Sequence, residues 1–354
     1  MLSETDIREA LRSVKYPGFS RDIISFGLLK GVEISDHRIQ VQLAVTTNDP
    51  EIPEQIRRAS QEVIEKISMA HEVQVRVEVH SASAAGGGAT VIEGVRHTIA
   101  IASGKGGVGK STVAANIAVA LRRIGARVGI CDCDIYGPSI ALMFGGNERP
   151  FADEHNRILP IERYGIKLMS MGFLLEDGSP AVLRGPLVTR YTQQFLRQVD
   201  WKDLDYLILD LPPGTGDIQL TIVQTVALAG AIVVTTPQEA ALLDVRKAVS
   251  MFVKTHVRVL GVVENMSYFL CPGDGKRYEI FGKGGGEREA YRLGIPLLAK
   301  IPIQPDVCVA GDKGRPLVDV DPNSVVAQSF LDISKNLQKY FEEEHSCSSF
   351  TNSI

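Results

Sequence analysis

The sequence is short of several features that would each announce a class of protein. It has five cysteines in 354 residues, a sparse and odd number. That excludes a disulfide-stapled secreted scaffold and points to a reducing compartment, read as the cytoplasm. No apolar run approaches the ~18 residues of a membrane span, so no membrane partner is expected. There is no basic excess either, since 38 Lys plus Arg against 42 Asp plus Glu give a formal net charge of -4. Binding dominated by phosphate-backbone contacts wants the opposite balance, and no nucleic-acid partner is expected. The start, MLSETDIREALRSV, fits neither a secretory signal nor an Arg-rich transit peptide. The seven histidines show no spacing such as HExxH, so no zinc site is expected. What is left, 44% hydrophobic and 23% charged, is a globular chain with length for about two domains.

Composition divides the chain. SASAAGGGATVIEG, with three consecutive glycines, opens a flexible linker over 81–95. Before it, residues 1–80 read as a small α/β domain. Ile7, Leu11 and Val14 share a helical face, and Ile39, Val41, Leu43 and Val45 alternate as in a half-buried strand. Pro53 suits the first turn of a second helix, and VQVRVEV (73–79) alternates again. No catalytic constellation stands out there, and the expected role is docking or scaffolding. After the linker, 96–341 alternates apolar runs with helical patterns. The runs are HTIAIAS (97–103), ARVGICDCD (126–134), DYLILDLPP (205–213), AGAIVVTTP (229–237) and VRVLGVVEN (257–265). Such runs separated by helices predict a mostly parallel sheet covered on both faces. Residues 342–354, EEEHSCSSFTNSI, read as a flexible tail.

The strongest motif is Gly104-Lys105-Gly106-Gly107-Val108-Gly109-Lys110-Ser111, which matches the P-loop pattern GxxxxGK[ST]. A strand pattern precedes it and a helical pattern, continuing through Thr112, follows. Glycines let backbone N–H groups turn inward around phosphates, and the helix N-terminus adds partial positive charge. Lys110 is expected on the β- and γ-phosphates and the Ser111 hydroxyl on Mg²⁺. Two acidic strand ends complement the loop. Asp210 closes YLILD, where such an enzyme keeps its second Mg²⁺-linked carboxylate. Asp132 and Asp134 close VGICDCD; a carboxylate there orients or activates water, while a turn or helix-cap role is the alternative.

The extra lysine, Lys105, makes KGGVGKS resemble the deviant P-loop of the MinD/ParA-type, signature-lysine ATPases. With DCDIYGPS (132–139), RGP (184–186), DLPPGTGD (210–217), TTPQ (235–238) and ENMSYF (264–269), the chain resembles the Mrp/ApbC family of iron–sulfur carrier ATPases. The likeness runs from about residue 95 to about 320, and a small front domain also fits that family. It implies a P-loop NTPase domain preceded by a small iron–sulfur assembly-type α/β domain, working as a homodimer with ATP and Mg²⁺. Lys105 would reach the partner's nucleotide, Asp134 would stand by the water in switch I, and Asp210 with PPGTGD would form switch II. The P-loop residues Gly104, Gly106, Gly107, Val108, Gly109, Lys110, Ser111 and Thr112 would hold the nucleotide, and Asn265 would read the adenine edge.

The chain departs from the family at one place. A Cys-Pro-x-Cys pair after ENMSYF would bridge a [4Fe–4S] cluster between subunits. Here the segment reads Cys271-Pro272-Gly273-Asp274. Four thiolates are the usual ligand set, and carboxylate suits such clusters less well. Three outcomes stay open: a labile site of two Cys271 and two Asp274, completion by another cysteine such as Cys308, or an ATPase that has lost the cluster. A plastid branch of the family also lacks the pair, reading DADGKRY where this chain has GDGKRY. Cys131 and Cys133 are expected as core thiols and Cys347 as a free thiol in the tail.

The implied function is an ATP-hydrolysing carrier that delivers iron–sulfur clusters to apoproteins, with assembly scaffold proteins as further partners. The alternative is a nucleotide-switched positioning or partitioning ATPase of the MinD/ParA kind. A lipid-binding C-terminal helix of that kind would be basic, whereas the last helical stretch ends YFEEEH. A P-loop kinase or synthetase would need an acceptor pocket to which no residue set points.

Overall fold

A computed structural model describes residues 3–15, 17, 22–24, 28–35, 38–46, 51–68, 72–80, 89–134, 137–146, 148, 150–151, 153, 157–170, 173, 196 and 198–351. The chain forms two compact units, Met1–Gly88 and Ala89–Ile354. In the first, helix α1 (Glu4–Leu11) starts at Ser3, whose hydroxyl accepts from the Asp6 amide while Asp6 reaches back to the Ser3 N–H. This reciprocal box satisfies donors that the first turn leaves unpaired. Strands β1 (Leu29–Ile34) and β2 (Arg38–Thr46) pair antiparallel, and β2 is followed by helix α2 (Glu51–Ile67) and strand β3 (Glu72–His80). Strands β2 and β3 are parallel, with Ile39 opposite Val73 and Val45 opposite Val79, so α2 is their crossover. The alternation read from the sequence puts Ile39, Val41, Leu43 and Val45 in a core with Ile7, Leu11, Ile56 and Ile64. Helix α1 stops at Leu11, short of Val14, although Val14 remains buried.

The larger unit is built on an eight-stranded sheet. In chain order its elements begin with β4 (Val95–Ala102), α3 (Lys110–Arg123), β5 (Val128–Asp132), α4 (Ile140–Met143), β6 (Ile161–Arg163) and β7 (Ile166–Ser170). There follow β8 (Leu204–Asp210), α5 (Asp217–Thr225), β9 (Gly230–Thr235), α6 (Glu239–Lys254) and β10 (Val259–Glu264). The hairpin β11 (Phe269–Leu270) and β12 (Arg277–Tyr278) lies outside the sheet. The unit closes with α7 (Gly285–Leu293), β13 (Leu297–Lys300), α8 (Pro305–Asp312), α9 (Leu317–Val320) and α10 (Val325–Thr351). The strand order is β13-β10-β9-β4-β8-β5-β7-β6, parallel except for β6, which runs antiparallel to β7. Strands β5 and β9 are buried along their length, and β4 and β8 from Ile99 and Tyr206 onward, as continuous apolar runs require.

Two sequence expectations change here. The second half of the expected linker belongs to the larger unit, for Ile92 is buried and Thr90 bridges Val226; residues 81–88 lie outside the described residues. The stretch expected as a tail from 342 continues α10 to Thr351. Phe341 stacks on His97 with centroids 4.3 Å apart, and Glu344 pairs with Arg258 at 2.6 Å, which holds the helix to the sheet past that point. Strands β1, β6, β7 and β13 had no clear signature in the sequence. No described helix is long and apolar enough to cross a membrane.

Candidate functional site

The carboxyl ends of β4, β5, β8 and β10 meet at the P-loop, as expected where ligands bind such sheets. The loop spans Gly104 to Gly109, and α3 begins at Lys110, so Ser111 and Thr112 sit in its first turn. Gly109 adopts φ +81°, and a Cβ there would lie 2.2 Å from Asn265 Nδ2. Gly104 is equally constrained, since a Cβ would meet Asp244 Cβ at 2.3 Å. No side chain fits either place without moving backbone or its neighbour.

Strand register explains how the acids come together. Asp132 of β5 is the parallel partner of Asp210 of β8, and Ile101 of β4 is the partner of the same Asp210. Asp210 is fully buried, and the buried Lys110 ammonium sits 2.5 Å from its Oδ1. Burial raises the Asp210 pKa; the Lys110 charge and hydrogen bonds from Lys110 and Ser111 pull it down. Its Oδ2 has no hydrogen-bond partner among the described residues. A buried carboxylate oxygen left open beside the Ser111 hydroxyl fits the hard oxygen donor set of Mg²⁺.

Asp132 is a scaffold for the loop that follows it. Its Oδ1 accepts from the Asp134 N–H at 3.0 Å. Its Oδ2 accepts from the Ser139 N–H at 2.9 Å, the Ile140 N–H at 3.1 Å and the Ser170 hydroxyl at 3.1 Å. Burial, then the Asp210 charge, push its pKa up to about 7 against the pull of these donors. The open question about Asp132 thus resolves toward holding the turn. Asp134 is half-buried, accepts from the Gly137 N–H at 3.2 Å, and bears on Asp210 through its charge. Lys105 is half-buried, and among the described residues its ammonium has no ion-pair partner.

Asn265 is the residue expected to read the adenine edge. It is buried at the end of β10 and donates through Nδ2 to the Val108 carbonyl of the P-loop at 2.9 Å. It also lines an apolar cavity of about 490 Å³ with Thr112, Met266, Phe281, Ile303 and Phe330. A cavity of that size beside a phosphate loop suits a nucleoside. The sequence reading missed it because its walls come from α3, the residues just after β10, α8 and α10, far apart in the chain. It also missed Glu264, a buried carboxylate that accepts from the Ser267 hydroxyl and from the Gly286 N–H, each at 2.5 Å.

Cys271 is a free, half-buried thiol at the end of β11. Asp274 is committed to the hairpin turn. Its Oδ1 accepts from the Lys276 N–H at 2.9 Å and its Oδ2 from the Tyr278 hydroxyl at 2.8 Å, and these bonds hold its pKa below the usual range. Cys308 lies on α8, with its thiol 3.6 Å from Asp312 Oδ2. No group of three or more His, Cys, Asp or Glu able to hold a metal occurs among the described residues. Cys131 and Cys133 are buried with sulfurs 4.0 Å apart, and their contact together with burial raises the Cys133 pKa well above its ordinary value. RGP (184–186) lies outside the described residues, as does the side chain of Cys347.

Residues 94–338 match the family model described as NUBPL iron-transfer P-loop NTPase, and residues 4–79 match that of an iron-sulfur cluster assembly protein. The iron-sulfur cluster carrier protein of Deinococcus radiodurans is 43% identical over 329 residues, covering 93% of each chain. The carrier of the same name from Aquifex aeolicus is 51% identical over 255 residues, 72% of this chain and 70% of its own. Among solved structures, a nucleotide-binding protein of Archaeoglobus fulgidus in complex with ADP is 41% identical with a TM-score of 0.57, covering 63% of this chain and 88% of that one. The cell-division ATPase MinD of Pyrococcus furiosus, at 24% identity and a TM-score of 0.53 over 69% of this chain and 99% of its own, shares the fold. With this P-loop geometry and a family match across most of its length, the chain belongs to the NUBPL iron-transfer P-loop NTPase family.

Proposed function

We propose that the protein is an ATP-hydrolysing carrier that binds an iron–sulfur cluster and transfers it to apoproteins. The observation that carries this reading is the match to the Deinococcus radiodurans carrier over 93% of both chains. The nucleotide's phosphates would lie in the Gly104–Thr112 loop, and its base in the apolar cavity. The short contact between Lys110 and Asp210 fits a lysine that exchanges this carboxylate for the β- and γ-phosphates. Ser111 and Asp210 would hold Mg²⁺, which supplies charge neutralisation to the phosphates. Asp134 would orient the attacking water and take its proton as the bond to ADP breaks. Lys105, with no described acid to neutralise it, would serve the partner's nucleotide in a homodimer, as a cation supplied in trans.

The cluster, [4Fe–4S] in this reading, is cargo. Its donor is Cys271, contributed twice by a symmetric dimer. Asp274 is held in the turn, where its carboxylate also accepts from the Cys271 thiol, and Cys308 faces Asp312. Two thiolates from the chain suit a cluster that is passed on rather than kept, with scaffold and recipient proteins as its exchange partners. Free Cys131, Cys133, Cys271 and Cys308 suit a reducing cytoplasm.

The test is anaerobic reconstitution followed by iron and sulfide analysis, alongside phosphate release. Wild type is expected to hold cluster and Cys271→Ala none. If wild type holds no cluster while Asp274→Cys does, direct carriage by this protein is wrong. Phosphate release that persists in Lys110→Ala would refute the assigned ATPase site.

A further inference from the structure

The side chain of Asn265 and the hairpin of Cys271 belong to one short segment. Asn265 follows directly on β10, and Cys271 is the residue after β11. At its start the segment is tied to the nucleotide site. Asn265 Nδ2 donates to the Val108 carbonyl at 2.9 Å, and the same nitrogen would lie 2.2 Å from a Cβ on Gly109. The Met266 side chain also lies near, with its methyl carbon 3.6 Å from that Cβ position. The Asn265 N–H is fixed in turn to the Thr235 carbonyl at 2.8 Å. Phosphates bound in the loop would act on groups that Asn265 already holds.

The rest of the segment transmits displacement rather than absorbing it. Met266 has φ +54°, a left-handed conformation uncommon for a non-glycine residue. It is clamped on both sides. The Ser267 hydroxyl donates to buried Glu264, and the Ser267 N–H donates to the Ile301 carbonyl at 2.8 Å. Glu264 also accepts from the Gly286 N–H at the head of α7. Beyond it the Ile303 N–H donates to the Tyr268 carbonyl at 2.6 Å, and Phe269 bridges Ile303. The hairpin then closes through Phe269 opposite Tyr278 and Leu270 opposite Arg277, with the Arg277 guanidinium 3.8 Å above the Tyr268 ring. No slack residue lies between the P-loop carbonyl and the thiol.

We infer that Asn265 is a positioning residue that couples nucleotide occupancy of the P-loop to the exposure of the Cys271 thiol, through the clamped segment Glu264–Leu270. It regulates the site of the proposed function and rests on that reading for its purpose. The coupling itself concerns a thiol and a nucleotide and needs no cluster.

The experiment measures the rate of Cys271 alkylation by iodoacetamide in the full-length, cluster-free protein, by mass spectrometry of the peptide that carries it. Rates are compared with and without saturating Mg·ADP, with occupancy verified by equilibrium dialysis and assembly state matched by light scattering. In wild type ADP changes the rate by at least about five-fold, the lower end of ordinary site–site coupling. In Asn265→Ala at full ADP occupancy the change falls below about two-fold. Ser267→Ala, which loosens the clamp away from the nucleotide, gives an intermediate response and serves where Asn265→Ala does not fold. An unchanged wild-type rate with ADP overturns the coupling. A full ADP response in Asn265→Ala, or in Ser267→Ala where it stands in, overturns the assigned link. Iron and sulfide content, measured separately, reports on cluster carriage and not on this inference.

Discussion

Replacing Lys110 with alanine separates what the ammonium does for the fold from what it does for phosphate chemistry. Its pair with Asp210 is closed at 2.5 Å, with side chains 7% and 0% exposed. An intact buried pair adds little net stability, because both charges have lost their water. Removing one partner leaves Asp210 buried without the strongest influence opposing its desolvation. Loss of one side of such a pair costs about 3–5 kcal/mol. At about 2–4 °C per kcal/mol for a unit of this size, Lys110→Ala should unfold about 6–20 °C below wild type at pH 8. The single tryptophan, Trp201, is fully buried in the larger unit, so its fluorescence follows that unit's transition without interference from the other. Lys110→Met combined with Asp210→Asn removes both charges and should recover to within about 2 kcal/mol of wild type. All these variants lose ATP hydrolysis, so activity and stability part company in the double variant. The pH dependence has a definite sign. In Lys110→Ala the folded Asp210 titrates further above its unfolded value than in wild type, so between the two folded pKa values folding of the variant takes up a proton that folding of wild type does not. The deficit relative to wild type is therefore largest above the folded pKa and shrinks as pH falls toward the unfolded carboxyl range. A Lys110→Ala transition within about 2 °C of wild type at pH 8, or a deficit that grows toward pH 5, would refute the buried-pair account.

Lys105→Ala should lower turnover by at least about 100-fold while leaving ADP affinity within about three-fold, if its cation acts in trans on the transition state; equal turnover sinks that role. Asp132→Ala orphans the Asp134, Ser139 and Ile140 amides and should destabilise by at least about 2 kcal/mol in denaturant titration, with Asp132→Asn milder because it retains an acceptor. The folded pKa of Asp132, about 7, lies above its unfolded value, so its contribution to stability should fall as pH rises from about 4 to 7. Asp132→Asn should flatten that slope, and an unchanged slope would exclude Asp132 as its source. Asp274→Cys should slow loss of a reconstituted cluster to a chelator by about ten-fold or more by adding thiolate donors. Unchanged retention would place the remaining ligands elsewhere.

The parts of the fold that could be read in advance are those whose burial is complete. HTIAIAS, DYLILDLPP and AGAIVVTTP are continuous apolar runs because strands β4, β8 and β9 are covered on both faces. Strand β13 gives no such run, for its four residues are all half-buried. Strands β11 and β12 have two residues each and are set by Asp274 bonds across a turn, below the length at which periodicity exists. The helical continuation past residue 341 was not legible for a related reason. Its acidic composition is that of a solvated helix face, and what orders its start is contact of Phe341 and Glu344 with residues far away in the chain.

The site divides along the same line. The P-loop is local in sequence, so its residues were legible together with the chemistry they serve. Asp132 and Asp210 were legible as strand ends, but not their pairing, because β8 enters the sheet between β4 and β5 after both have been laid down in the chain. Only that insertion brings Asp210 into register with Asp132 on one side and Ile101 on the other. It also decides which acid does what. Asp132 has its oxygens taken by the turn, Asp210 keeps one oxygen open beside Ser111, and Asp134 is carried past the strand end to the half-exposed edge. Three aspartates equivalent by composition thus acquire different hydrogen-bonding and burial from their places in the sheet. Cys271 follows the same logic. Its thiol gains a route to the nucleotide because β10 ends beside the P-loop and turns straight into the hairpin.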